Sequence, residues 1–316
     1  MRVDEIKRIA VVGAGLMGQG ATVEFALGGY EVNLNSRSEE SLQRGMKGIG
    51  EIFQRLNNLG LVTPDSVDLA RSRIRTNVDL QESVEDAQVV YEVVYEDLAL
   101  KQRIFRDLDR FCPKSTILVS GTSMLSLSDL AAATQRPDRV LLANYSNPSY
   151  LVPVAEVMRN ENTSGETVAT VCDLLTRIGK KPVVIQKEVP GFVANRLQGA
   201  LLREALWLVQ RGVVTAQDVD TIIKSGVGRR WAVAGPFEVF ELIGMDLVLT
   251  GLSYLFPHLE NSTEIPPVLE EKVERGELGV KTGKGFYDWT PESTEALRQR
   301  IAHALVEVEK WSRTSR

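Results

Sequence analysis

The chain opens with a short run, Arg8–Val12, that is apolar after its first residue. The lack of polar alternation predicts a strand buried on both faces, as in a parallel sheet. It passes directly into Gly13-Ala14-Gly15-Leu16-Met17-Gly18 and then into a helical pattern through Leu27, which Gly28 and Gly29 stop. Glu31–Asn35 reads as a second strand, completing a β-turn-α-β unit. A polar helical stretch over 39–71 follows, broken near Gly60 and Pro64. Further strands are predicted at 74–76, 88–94, 116–120 and 140–143, separated by helices such as Leu98–Phe111. Such alternation predicts an α/β fold with a doubly wound parallel sheet. After a last strand at 182–186, strand patterns end near Pro190-Gly191. Helices are expected over 192–211, Ala216–Ser225, 236–256 and 293–312. The pattern therefore divides into an α/β domain, 1–188, and an all-helical domain, 189–316. The helix 192–211 is apolar on nearly every side, which predicts the core of the helical domain or a contact between subunits.

Composition narrows the classes. With 316 residues, 43% of them hydrophobic, the chain can bury a core and is not disordered. A net charge of −5 leaves no electrostatic footprint for nucleic acid. No apolar run reaches the roughly 20 residues a bilayer needs; the longest, 199–209, is interrupted by Arg203 and Glu204. The start, MRVDEIKRIAVVGAG, shows no signal-peptide core. Cys112 and Cys172 form neither a disulfide framework nor a CxxC motif. A cytoplasmic protein with no membrane or nucleic-acid partner is expected. There are two histidines, His258 and His303, in the last fifth of the chain, where they read as surface or partly packed residues. No metal site is expected, because converging imidazole or thiolate ligands are lacking.

The glycines carry specific chemistry. Gly13 permits a tight turn, Gly15 lets the backbone approach a pyrophosphate, and Gly18 lets helix and strand pack closely. The helix N-terminus then offers its free N–H groups and positive dipole end to phosphate, and Leu16 and Met17, between the glycines, are expected to bind the cofactor with them. A dinucleotide is implied. An NAD site usually places Asp or Glu at the end of the second strand, to accept from the ribose 2′-hydroxyl. Here the stretch reads Asn33-Leu34-Asn35-Ser36-Arg37-Ser38, with no carboxylate before Glu39. Ser36 beside Arg37 suits a 2′-phosphate, which a guanidinium binds as a fork. NADP(H) is the expected cofactor, with NAD(H) as the alternative.

The sequence resembles the 3-hydroxyacyl-CoA dehydrogenase family across nearly all its length. The matching segments are VVGAGLMGQGATVEFALGGYEV, VVYEVVYEDLALKQRIF, SGTS, NPSYLVPVAEV, VPGFVANRL, GPFEVFELIGMD and GVKTGKGFYDW. The NPSYLVP and RRWAVAGPF wording looks closest to members acting on small substrates that carry no coenzyme A. The resemblance implies a Rossmann-type domain followed by a helical domain that forms a homodimer. It also implies an active-site histidine that begins an H-x-x-N-P motif and a glutamate twelve residues beyond it. In this chain Asn144 stands at the histidine position, and Glu156 at the glutamate. By the same resemblance Ser123, Asn147 and Asn195 contact substrate, while Glu96 and Lys101 lie near the nicotinamide and its ribose. Basic residues of the 39–71 segment hold coenzyme A in some members. Here Arg44, Lys47, Arg55, Arg71 and Arg73 are mixed with Glu39, Glu40 and Glu51, as on a solvated helix face.

Asn144 alters the chemistry. Interconverting an alcohol and a ketone moves a hydride and a proton, and a histidine is suited to carry that proton at neutral pH. An asparagine amide donates a hydrogen bond but exchanges no proton in this range. Positioning alone leaves hydride transfer to a small 3-keto or 3-hydroxy substrate as the expected activity. Tyr145, Tyr95 or Tyr150 is a candidate replacement acid. A protonated imine needs no acid at all, so NADPH-dependent imine reduction, with Glu156 stabilising the cation, is the alternative. A catalytically impaired dinucleotide-binding protein, or a deliberately altered enzyme, is the third reading.

Overall fold

The computed structural model describes residues 1–314 and divides into two units, Met1–Val193 and Ala194–Arg316. The first unit contains strands β1 (Arg8–Val12), β2 (Glu31–Asn35), β3 (Ile74–Asn77) and β4 (Val89–Glu92). It continues with β5 (Ile117–Ser120), β6 (Val140–Tyr145), β7 (Val154–Met158) and β8 (Lys181–Ile185). Its helices are α1 (Leu16–Leu27), α2 (Glu39–Asn58), α3 (Pro64–Ser72), α4 (Leu80–Val84), α5 (Leu98–Phe111), α6 (Leu127–Ala131) and α7 (Gly165–Arg177).

The eight strands lie in the order β3-β2-β1-β4-β5-β6-β7-β8. They are parallel from β3 to β6, so the doubly wound sheet expected from the pattern is present. Both faces are buried. Ile9 and Val11 of β1 enter a core with Phe25, Leu34, Phe53 and Leu174, while Ala10 and Val12 enter a second with Phe105, Leu108 and Leu118. Successive side chains of a strand point to opposite faces, and each face here is covered by helices.

One strand departs from the expectation. β7 is not among the strands that the pattern predicts: Pro153 precedes it and Glu156 interrupts its apolar run. It pairs antiparallel with β6, setting Asn144 directly opposite Glu156. The side-chain caps also single out one helix. Helices α2 to α7 begin on Ser38, Thr63, Asp79, Asp97, Ser126 and Ser164, each accepting a bond from a first-turn amide. Helix α1 begins on Gly15 with no side-chain cap.

The second unit contains α8 (Ala194–Gln210), α9 (Ala216–Ser225), α10 (Val227–Trp231) and α11 (Pro236–Glu241). It continues with α12 (Met245–Leu255), α13 (Pro267–Glu274) and α14 (Pro291–Thr314). The single helix expected over 236–256 is two, because Gly244 adopts φ +99° between them. Helix α8 buries Leu206 but leaves Leu197 and Leu202 more than half exposed, so in this chain it is not the centre of a closed helical core. Among the described residues, no helix is long and apolar enough to cross a membrane.

Candidate active site

Several groups singled out from the sequence lie at the carboxyl ends of the parallel strands: the glycine turn, Ser36 and Arg37, Glu96, and Ser123. β1 ends in the glycine turn, where Gly13 sits at φ +119° and donates its N–H to the Asn35 carbonyl at 2.9 Å. A Cβ on Gly13 would stand 2.7 Å from the Val93 carbonyl oxygen, and one on Gly18 would overlap the carbonyl oxygen of Gly13. A Cβ on Gly15, by contrast, would meet nothing within 4 Å. Two glycines are thus required by protein packing, while the third faces open space in front of an uncapped helix N-terminus. A pyrophosphate fits that opening, since it accepts from the free N–H groups and complements the helix dipole.

The opening continues into a cleft of about 630 Å³ lined by Gly13, Gly15, Leu16 and Met17, by Ser36, Arg37 and Ser41, and by Val78, Leu80, Val94, Tyr95, Leu100 and Ile104. The structure therefore brings Ser36 and Arg37 together with the glycine turn. Ser36 is buried and donates to the Ser41 hydroxyl at 2.8 Å, while Arg37 is exposed. Arg37 is the one charged side chain lining the cleft. Asn35, just before it, is held by its amide to the Asn77 carbonyl at 2.9 Å and to Ser83 Oγ at 3.2 Å. The apolar wall from α4 and α5 carried no recognisable sequence signal, because helices so distant along the chain converge only through the sheet order.

Glu96 and Lys101 belong to a network around a buried carboxylate that the sequence reading passed over. Glu92, at the end of β4, accepts from Lys101 Nζ at 2.7 Å, from Val94 N at 2.7 Å and from Ser120 Oγ at 2.6 Å. Its side chain is fully buried and that of Lys101 is 1% exposed. Such a pair persists in a low-dielectric interior because both carboxylate oxygens accept hydrogen bonds and the ammonium has three oxygens within 3.5 Å. Lys101 also lies 3.5 Å from Glu96, which remains 35% exposed and accepts from the Thr122 hydroxyl. Thr122 Oγ1 in turn accepts from Leu125 N at 3.1 Å, shaping the turn that carries half-buried Ser123. Lys101 is thus a support beneath Glu96, and neither residue lines the cleft itself, which ends beside them at Tyr95 and Leu100. A glutamate ending an otherwise apolar strand was the available signal for Glu92.

At the end of β6, Asn144 Nδ2 donates to Glu156 Oε2 at 3.4 Å, a long bond, and Glu156 Oε1 accepts from Val193 N at 2.8 Å. Asn147 is exposed on the loop that follows β6. Asn195 lies in the first turn of α8, in the second unit. Tyr145 is corrected as an acid candidate. It points to the opposite face of β6 from Asn144, is 4% exposed, and stacks on Tyr91 with ring centroids 5.1 Å apart. Burial drives its phenol well above the usual tyrosine range, so it holds its proton. Tyr150 packs against the core, whereas Tyr95 is exposed in the cleft. Both histidines lie in the second unit, where His258 packs beside Tyr254. Among the described residues, no group of three or more His, Cys, Asp or Glu side chains could hold a metal ion.

The basic residues of 39–73 differ in setting: Arg55 and Arg73 are half-buried, and Arg73 donates to the Ala26 carbonyl at 3.0 Å. Arg44 pairs with Glu40, Lys47 lies 4.0 Å from Glu51, and Arg71 covers the Phe53 ring.

A glycine turn, an uncapped helix and an apolar cleft at the reversal of strand order define a dinucleotide-binding protein of the doubly wound class. The chain belongs to the 3-hydroxyacyl-CoA dehydrogenase family: residues 8–189 match its NAD-binding domain and residues 191–289 its C-terminal domain. It is similar to 5-formyl-3-hydroxy-2-methylpyridine 4-carboxylate 5-dehydrogenase of Mesorhizobium japonicum, 35% identical over 96% of this chain and 98% of that protein. It is also similar to a probable 3-hydroxybutyryl-CoA dehydrogenase of Bacillus subtilis, 36% identical over 90% of this chain and 98% of that protein. A crystal structure of 5-formyl-3-hydroxy-2-methylpyridine 4-carboxylic acid 5-dehydrogenase, described as an NAD+-dependent dismutase, superposes with a TM-score of 0.89. That likeness spans 96% of this chain and 98% of the other at 35% identity. The protein is accordingly an oxidoreductase of the 3-hydroxyacyl-CoA dehydrogenase type that uses a nicotinamide cofactor.

Proposed function

We propose that the protein is an NADP(H)-preferring oxidoreductase that transfers hydride between nicotinamide and a small 3-hydroxy or 3-keto substrate, acting as a homodimer through its helical unit. The observation that carries this reading is the convergence at the strand ends: glycine turn after β1, Ser36 and Arg37 after β2, Glu96 after β4, Ser123 after β5 and Asn144 on β6. The strand order separates β1 from β6 by three interstrand steps, roughly 14 Å. One molecule of dinucleotide length can run along such an edge.

The bound cofactor supplies a hydride. Gly15 and the first turn of α1 hold its phosphates, Arg37 and Ser36 its 2′-phosphate, and Glu96, supported by Lys101, its nicotinamide ribose. Asn144 donates a hydrogen bond to the substrate oxygen and Asn147 orients the same group, with Ser123 and Asn195 lining the substrate. Glu156 orients Asn144. In reducing a ketone, the alkoxide that forms when the hydride arrives at carbon takes its proton from water, because Asn144 has none to give. The preference for NADP(H) sets this chain apart from the NAD+-dependent relative. Its support is a cleft lined by one cation and no carboxylate.

A second reading is favoured by two observations: no histidine lies in the first unit, and Tyr145 is turned into the core. Reduction of a protonated imine needs a hydride and no added proton, and Glu156 would stabilise the cation. Both readings are tested by following NADPH and NADH consumption with small β-keto acids, with and without ammonium, in wild type and Asn144→His. Carbonyl reduction predicts consumption indifferent to ammonium that rises about a hundredfold in Asn144→His, the scale of general acid catalysis. Consumption that requires ammonium and yields an amine overturns it in favour of imine reduction. Faster turnover with NADH than with NADPH overturns the cofactor preference.

A further inference from the structure

A buried charge lies under the loop joining β6 to β7, residues 146–153, and the chemistry described above does not use it. Lys180, just before β8, has a side chain only 2% exposed. Its ammonium donates to the carbonyl oxygens of Ser149 at 2.6 Å and Val152 at 3.1 Å, and lies 2.5 Å from Glu24 Oε1 on α1. Three protons thus meet two carbonyls of the loop and one carboxylate of the helix, with the Tyr145 ring 4.8 Å away. A second contact joins the same two elements: a Cβ on Gly20 of α1 would overlap the hydroxyl oxygen of Ser149. The loop is therefore seated flush on α1 and fastened there by charge. Burial pushes the Glu24 carboxyl above the usual range, with the Lys180 charge and a hydrogen bond from the Ser149 hydroxyl opposing it. Stability alone does not call for such a pair, since apolar residues of similar volume often serve as well.

We propose that Lys180 and Glu24 are positioning residues whose ion pair fastens the loop carrying Asn147 to the helix whose first turn cradles the cofactor phosphates. Glu24 stands nine residues from Gly15, roughly 13 Å along the helix. Substrate loop and phosphate cradle then share one rigid reference, and an error of about 1 Å between them can cost about a hundredfold in rate. The proposal rests on the reading that Asn147 meets the substrate.

The test compares Lys180→Met, Lys180→Arg, Glu24→Gln and the double variant Lys180→Met/Glu24→Gln in the full-length protein. Amide exchange of the loop is read by mass spectrometry, dinucleotide affinity by nicotinamide fluorescence, and kcat with the substrate that wild type turns over. In Lys180→Met the loop amides should exchange about tenfold faster while those of the glycine turn are unchanged. The kcat should fall about 10- to 100-fold, with the dinucleotide Kd within about twofold of wild type. Lys180→Arg, which keeps the charge and the donors, should recover part of that loss. The double variant should be no slower than Lys180→Met, because the two residues act as one unit.

Unchanged loop exchange, unchanged kcat, or a loss of dinucleotide affinity as large as the loss of kcat overturns the proposal. Should Lys180→Met not fold, Glu24→Gln keeps the shape of the side chain and decides by the same measurements. A wild-type protein that turns over neither ketone nor imine breaks the functional reading separately. Loop exchange then judges the clamp alone: acceleration supports it and no change overturns it.

Discussion

The two units of this chain answer the same problem of burying apolar surface in opposite ways. The α/β unit closes on itself: Ile9, Val11, Leu34, Phe105, Leu118 and Leu141 are at or near zero exposure, and its buried charges are paired. In the helical unit, Leu206, Ala302 and Val306 are the buried apolar side chains larger than glycine among the described residues, while Leu242 is 88%, Phe237 80% and Leu249 68% exposed. Large apolar side chains exposed in such numbers are a feature of surfaces that meet a partner. The comparison teaches that the first unit buries its apolar side chains within one chain, whereas the second leaves large ones exposed. Under the dimer reading, that partner is a second copy.

The largest effect that would break the contrast belongs to the closed unit. Phe105→Ala should cost about 3–5 kcal/mol in urea unfolding, the usual penalty for emptying a buried aromatic site. A loss under about 1 kcal/mol would mean that this core is looser than its burial implies. Next comes the open unit. Leu242→Asp should weaken self-association by about 2 kcal/mol, roughly thirtyfold, in sedimentation velocity over a concentration series. An unchanged profile would show that the exposed face is not where copies meet.

The site tests are smaller. Gly13→Ala forces a Cβ toward the Val93 carbonyl at positive φ. It should raise the dinucleotide Kd by the equivalent of about 1–2 kcal/mol, measured by fluorescence titration. Gly15→Ala, which meets no protein atom, should disturb the fold less than it disturbs phosphate binding. The smallest effect is the most selective. Arg37→Ala should raise the NADPH Kd about tenfold and leave that for NADH within about twofold. Equal changes for both would remove the support for a 2′-phosphate contact.

Much of the first unit was legible along the chain. Short apolar runs, glycine stops and cap residues are local signals, and they located β1, β2, α5 and α9 with both ends and α1 at its C-terminal end. The glycine spacing announced a phosphate cradle because each glycine answers a backbone constraint within a few residues. Strand β7 was hidden, since a strand bearing Glu156 beside a proline has no period of its own until β6 pairs with it. The break at Gly244 was missed for a related reason: a lone glycine in a helical pattern is ambiguous, and only its positive φ decides.

By itself, then, the sequence determined the alternation of strands and helices, the dinucleotide turn, the missing carboxylate after β2 and the absence of any histidine before residue 258. Those are properties of residue type and near-neighbour spacing. Tertiary structure alone decided that Tyr145 faces the core, that Lys101 supports Glu96 from below, that Asn144 meets Glu156 across an antiparallel pair, and that Lys180 reaches Glu24. Each of these joins residues from different elements, and long-range pairing follows from the order and direction of strands, which no local pattern encodes.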